Sequence, residues 1–162
     1  MTDRHRVSSR AVILDPNYKF LLFLSRFDPG TDLPPQWVFP GGGVEKDEEP
    51  LAGVVREVFE ETGRQFAHHA FEPIRAIWHP MDDTRLHDTG EAHFFELKVS
   101  EPFEPSSENW TDNEHRDTVT HRWVSISEIL SEQLWVGPSG AIELLIERYG
   151  SQGPEAPPHQ GS

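Results

Sequence analysis

The sequence predicts one α/β domain, a mixed β-sheet held between helical layers. Three observations carry that prediction. Short runs rich in Val, Ile, Leu and Phe recur at residues 7–14, 18–24, 71–78 and 92–99, the composition and length of strands. Between the second and third of these, Leu51, Val54, Val55, Val58 and Thr62 fall at helical spacing. A second amphipathic helix, residues 141–149, closes the chain. Strands on either side of a helix, with another helix last, bury their apolar faces most simply as layers around a sheet.

Taken in order, residues 7–14 and 18–24 form a hairpin across the turn Asp15-Pro16-Asn17. Residues 25–36 carry Pro29-Gly30 and Pro34-Pro35 and read as a loop. The apolar stretch Trp37-Val38-Phe39-Pro40 then runs into Gly41-Gly42-Gly43, read as a glycine turn whose free N–H groups meet phosphate or orient the following helix. That helix starts near Pro50, a good first residue, and Gly63 terminates it. Gly53, inside it, is explained only by close packing. Strands 71–78 and 92–99 flank a polar loop with Asp82-Asp83, and His79, His87 and His93 fall around it without the local spacing of a zinc motif. Residues 101–116 read as a loop and 121–124 as a short strand. Ser125-Ile126-Ser127-Glu128 fits a capping box that opens a short helix to about residue 130. The domain spans 1–150, and the Pro-, Gly- and Gln-rich residues 151–162 are expected to be a disordered tail.

Composition narrows the function classes. The 162 residues suit one domain rather than two. A formal charge of −14 argues against a nucleic-acid polymer as partner, while a small nucleotide remains compatible because bound dications invert the local sign. The chain has no cysteine, so it has no disulfide, no thiolate metal site and no cysteine nucleophile. It shows no membrane span and no signal peptide, and a cytoplasmic location is expected. A homodimer is left open.

The richest stretch runs from Gly41 to Gly63. Glu57, Glu60 and Glu61 stand at i, i+3 and i+4, where like charges repel. They are expected on an outer face opposite the apolar stripe, with a hard dication, Mg2+ or Mn2+, to neutralise them. From Gly42, five residues lead to Glu48, seven more to Arg56, and Glu57-Val58-Phe59-Glu60-Glu61-Thr62-Gly63 follows. This spacing resembles the Nudix box, G-x5-E-x7-R-E-U-x-E-E-x-G-U, with U a bulky apolar residue. The match departs from the pattern only at Arg64, where an apolar residue is usual, and the box covers about one-seventh of the chain.

The resemblance implies a Nudix-fold α/β/α sandwich and a pyrophosphohydrolase. It implies that Glu57, Glu60 and Glu61 hold the metals, with Gly42 beside them. One of these glutamates, or one from a later loop, serves as base. Glu114, in Asp112-Asn113-Glu114-His115, is the first candidate for the latter, with Glu108 and Asp117 as competitors. Glu48 and Arg56 take positioning roles. Substrate contacts are expected from Gly41, Gly42, Gly43, Arg26 and Trp37, with a solvated Arg26 and a core Trp37 as the plain alternatives. The expected reaction splits a nucleoside diphosphate linked to a moiety X into a nucleoside monophosphate and phosphorylated X. Members that cleave ADP-ribose often carry a proline fifteen or sixteen residues past the box, and Pro80 lies sixteen past Arg64. Nucleoside triphosphates and dinucleoside polyphosphates stay open. The coenzyme A and isopentenyl diphosphate branches fit less well. A catalytically silent binding module of the same fold is the alternative reading. A transcription regulator would need a basic DNA-binding domain for which the chain has neither length nor charge.

Overall fold

The computed structural model describes residues 5–26, 34–80 and 89–151, and the backbone alone of residues 79 and 80. The tail 152–162, Pro29-Gly30, Asp82-Asp83 and His87 lie outside the described residues. Eight strands form one mixed sheet. They are β1 (His5–Leu14), β2 (Phe20–Ser25), β3 (Gln36–Val38), β4 (Gly41–Gly43), β5 (Phe71–Pro80), β6 (Thr89–Lys98), β7 (Thr118–Val124) and β8 (Val136–Gly137). Among the described residues four α-helices accompany them, α1 (Pro50–Thr62), α2 (Asp112–Asp117), α3 (Ile126–Ser131) and α4 (Ala141–Tyr149), with a 3-10 turn at His68–Ala70. No helix among the described residues is long and apolar enough to cross a membrane.

The main path of the sheet is β5-β6-β1-β2-β3-β8, with β4 added against β1 and β7 against β2. β1 runs parallel to β6 and β3 parallel to β8; the other pairs are antiparallel. The expected hairpin is present, and Asp15 makes its turn: the side-chain oxygen accepts the N–H of Asn17 at 3.0 Å and of Lys19 at 2.8 Å. β1 and β2 meet only at Leu14 and Phe20. Further back, β1 takes β4 as its partner, pairing Ser8, Ser9 and Arg10 with Gly43, Gly42 and Gly41.

β1 and β2 are apolar on both faces because both faces are covered. Val12, Leu14, Phe20 and Leu22 join a core with Leu144 and Leu145 of α4 and Ile129 of α3. Their neighbours Ala11, Ile13, Leu21 and Phe23 join a second core with Val54 and Val58 of α1. The layered architecture is the one that the sequence implies.

Three elements differ from expectation. Gly41-Gly42-Gly43 is a strand, not a turn; a backbone without Cβ atoms fits between β1 and the side chains of α1. Residues 112–117, expected as loop, form α2, capped by Thr111 and Glu114 in a reciprocal box. The Thr-x-x-Glu signal was present in the sequence. β8 is two residues long and too short to show a period.

Candidate active site

Helix α1 brings the box residues together. Pro50 opens it, and Gly63 closes it in the left-handed conformation, φ +78°, with its N–H on the Phe59 carbonyl. At about 100° per residue, the apolar stripe is centred on Leu51, Val54 and Val58. Glu61 lies nearest that stripe among the three glutamates, Glu57 further round, and Glu60 nearly opposite it. The expected outer face is therefore corrected. Glu57 is buried, at 8% exposure, and Phe59, with 37%, is the residue that faces solvent.

The glycine strand makes that burial possible. A Cβ on Gly42 would lie 2.6 Å from Glu57 Oε1, so only glycine lets this carboxylate approach the sheet. Gly41 has φ +143°, and a Cβ there would meet the Ser9 carbonyl at 2.0 Å. Its N–H donates to Glu61 Oε2 at 2.9 Å. The expectation that this N–H meets phosphate is corrected, since a carboxylate of α1 already takes it. Gly53 also has its reason: a Cβ would press on Ser9 Oγ at 3.0 Å and Glu48 Oε1 at 3.2 Å.

Glu57, Glu61 and Glu114 converge, with one carboxylate oxygen from each within 4.8 Å of the others. α1 supplies two and α2 the third. Glu108 is exposed and Asp117 is engaged by Arg116 at 2.9 Å, so neither competitor joins them. Glu60 does not join them either; its carboxylate sits 3.4 Å from Arg56 Nη1. Burial is the first cause that raises the proton affinity of Glu57. It raises that of Glu61 well above the carboxylate range, and the Glu57 charge adds to the effect.

Arg56 is the hub of the supporting shell. Its Nε and Nη2 grip both oxygens of Glu48 at 2.9 Å, Nη2 also donates to the Gly43 carbonyl at 3.1 Å, and Nη1 reaches Glu57 Oε1 at 3.1 Å. The guanidinium hydrogen bonds hold Glu48 below the usual carboxylate range. Glu48 also accepts the Glu45 N–H at 2.9 Å, which ties the approach loop to the helix.

Sequence reasoning passed over Arg10. This half-buried side chain donates to the carbonyls of Phe39 at 2.9 Å and Gly41 at 3.4 Å, and its charge faces Glu61 and Glu57. No local pattern announces it, because its partners are some thirty residues away in sequence.

The other named residues lie nearby or elsewhere. Arg26 is exposed at the end of β2, its N–H on the Asp117 carbonyl at 2.8 Å, and so flanks α2. Trp37 packs against the first core, on the side of α3 and α4. His93 Nε2 contacts Glu91 Oε2 on the same strand. Arg64, the departure from the box, covers the Phe103 ring with its guanidinium carbon 4.2 Å from the centroid. It thereby supplies the packing that an apolar residue would.

The donor set suits a hard dication. Three carboxylates face one another in partly buried surroundings, Arg56 is committed to Glu48, and oxygen ligands favour Mg2+ or Mn2+ over softer metals. Glu57, Glu61 and Glu114 are the residues that would hold it.

Comparison with known proteins bears on the family and the fold. The model of the NUDIX domain matches residues 4–145. Diphosphoinositol polyphosphate phosphohydrolase 2 of Mus musculus is 60% identical over 30 residues, covering 18% of this chain and 17% of that protein. The chain thus matches about a sixth of the length of that relative. The MutT protein from Methanosarcina mazei Go1 shares the fold with a TM-score of 0.66 and 22% identity, covering 91% of this chain and 94% of that one. A bifunctional NMN adenylyltransferase/ADP ribose pyrophosphatase from Francisella tularensis, complexed with AMP and Mn ion, gives a TM-score of 0.62 at 22% identity, over 90% of this chain and 42% of the other.

Proposed function

This chain belongs to the NUDIX family, and from that premise we propose that it hydrolyses a phosphoanhydride bond in a nucleoside diphosphate linked to a second moiety, X, with Mg2+ or Mn2+ as cofactor. The observation that carries the proposal is the convergence of Glu57, Glu61 and Glu114. A bound dication supplies positive charge to the diphosphate oxygens and acidity to the attacking water. Glu57, Glu61 and Glu114 would hold it, and Glu114 would take the proton that the water loses. The water oxygen forms a new bond to one phosphorus, the bond from that phosphorus to the bridging oxygen breaks, and the bridging oxygen leaves with the other phosphate. Arg56 fixes the Glu48 and Glu57 carboxylates, and Arg10 offsets part of the charge on Glu61. Gly41 and Gly42 admit those carboxylates to the sheet, Glu60 supports Arg56, and Arg26 beside α2 meets the substrate.

An ADP-ribose-like compound is the substrate we favour. The position of Pro80, sixteen residues past Arg64, supports it, and so does the likeness to a protein named as an ADP ribose pyrophosphatase. The test is incubation with a panel of nucleoside diphosphate derivatives and Mg2+, with products identified by mass spectrometry. A nucleoside monophosphate and phosphorylated X are expected. Glu57→Gln and Glu61→Gln are expected to lower kcat by orders of magnitude while circular dichroism stays unchanged. Tight binding without turnover across the panel would make the chain a binding module instead.

A further inference from the structure

We propose that Trp110 is a positioning residue, whose indole N–H sets the separation between the carboxylates of α1 and Glu114. The proposal rests on reading Glu57, Glu61 and Glu114 as one cation-binding set.

The last carbonyls of a helix lack partners within it. In α1 the Phe59 carbonyl is taken by Gly63, but those of Glu61 and Thr62 are taken by the segment that leads to α2. Ser106 N–H donates to the Thr62 carbonyl at 2.9 Å, and Trp110 Nε1 donates to the Glu61 carbonyl at 2.8 Å. The second of these partners is the backbone of a site residue. Contact is close here, since a Cβ on Gly63 would lie 2.9 Å from Ser106 Cβ.

Helix α2 begins two residues after Trp110. Thr111 is its N-cap, and its hydroxyl accepts the Glu114 N–H at 3.2 Å. In return Glu114 Oε2 accepts the Thr111 N–H at 2.8 Å. That bond ties the Glu114 side chain to the N-cap backbone at Thr111, so the carboxylate moves with the start of the helix. Its place relative to Glu61 follows that of α2, whose start Trp110 ties to the end of α1 and whose end the Arg26 N–H ties to β2. The indole is itself wedged between Phe23 of β2, with centroids 6.3 Å apart, and His115 of α2, 5.4 Å away. One side chain thus joins the helix that carries two of the carboxylates, the strand beneath, and the helix that carries the third. A side chain of pure packing value would need the ring; the positioning role needs the N–H.

Trp110→Phe keeps a ring and removes the donor. Mn2+ binding, followed by the electron paramagnetic resonance signal of the free ion, is measured in this variant, in Glu114→Gln and in the double variant, beside melting temperatures. Trp110→Phe is expected to weaken Mn2+ binding about three- to tenfold, the effect of one hydrogen bond. In the Glu114→Gln background the same change is expected to have a clearly smaller effect, because the route through Glu114 is gone and only the bond to the Glu61 carbonyl still links Trp110 to the site. Equal weakening in both backgrounds, or wild-type affinity in Trp110→Phe, would overturn the proposal. Should Trp110→Phe fail to fold, Thr111 carries the test. Thr111→Ala is expected to weaken Mn2+ binding and Thr111→Ser to restore it, and equal affinity in the two overturns the proposal. If Glu114→Gln alone binds Mn2+ like the wild type, Glu114 leaves the cation-binding set and the reading beneath the proposal fails with it.

Discussion

Gly42 and Gly43 are adjacent and identical, yet their surroundings differ sharply. A Cβ on Gly42 would strike the Glu57 carboxylate at 2.6 Å, whereas one on Gly43 would find nothing nearer than the Arg6 guanidinium at 3.8 Å. Gly42→Ala is therefore expected to destabilise the protein by about 1–3 kcal/mol and to weaken Mn2+ binding, since Glu57 must move aside. Gly43→Ala is expected to do neither. Urea unfolding and a Mn2+ titration of both variants check the contrast, and equal behaviour would mean that Glu57 is not held against the sheet. The sequence displayed the three glycines and the box glutamates at their spacing. It did not say which glycine a carboxylate leans on, because that depends on β4 pairing with β1 from more than thirty residues away. Arg64 is a similar case: the departure from the box is visible in the sequence, but its compensation through Phe103 is not.

Among the elements, α4 was the easiest to read and hides the least expected contact. Ala141, Leu144, Leu145 and Tyr149 bury one face at helical spacing. Tyr149 then donates its hydroxyl to Glu96 Oε2 at 2.6 Å, and Arg148 Nε reaches the same oxygen at 3.2 Å. Glu96 is buried in β6, at 5% exposure, so it depends on these partners. Tyr149→Phe is expected to cost about 1–3 kcal/mol, because it strips a partner from a buried carboxylate. Urea unfolding measures this, and an unchanged midpoint would mean that solvent already serves Glu96. Helix α1 was legible in its extent and its caps, yet its polar side was assigned outward. The sequence shows which residues share a face; it cannot show that a strand without side chains lies there to receive two carboxylates. Helix α2 was missed although Thr111 and Glu114 spell its cap, because six residues are too few for a period.

For the whole molecule, the site sets how stability depends on pH and on metal. Burial, and for Glu61 the neighbouring Glu57 charge, hold both carboxyls above the usual carboxylate range in the folded protein. Below the unfolded value, about 4.3, both states are protonated and the folded protein is at no disadvantage. As pH rises through the raised folded values, the unfolded chain ionises more readily, and the metal-free protein loses stability. A dication bound to the ionised carboxylates, as proposed, would reverse the loss. The Mg2+-induced rise in melting temperature is therefore expected to be larger at pH 8 than at pH 5. Thermal melts with Mg2+ and with a chelator, at both pH values, test this. A pH-independent increment would mean that the ion does not bind these carboxylates.

Local order was enough to determine much of this protein. Apolar runs placed most strands, helical periods placed α1 and α4, a capping box placed α3, and one fixed spacing of charged residues named the family. Those signals survive in one dimension because each arises from neighbours along the chain. The convergence of α1 with α2, the carboxylates turned toward the glycine strand, the bond from Arg10 to the Phe39 carbonyl and the bond from Trp110 to Glu61 were decided only in three dimensions. Each joins groups brought together by sheet pairing and by the two cores, and no spacing in the sequence encodes that meeting.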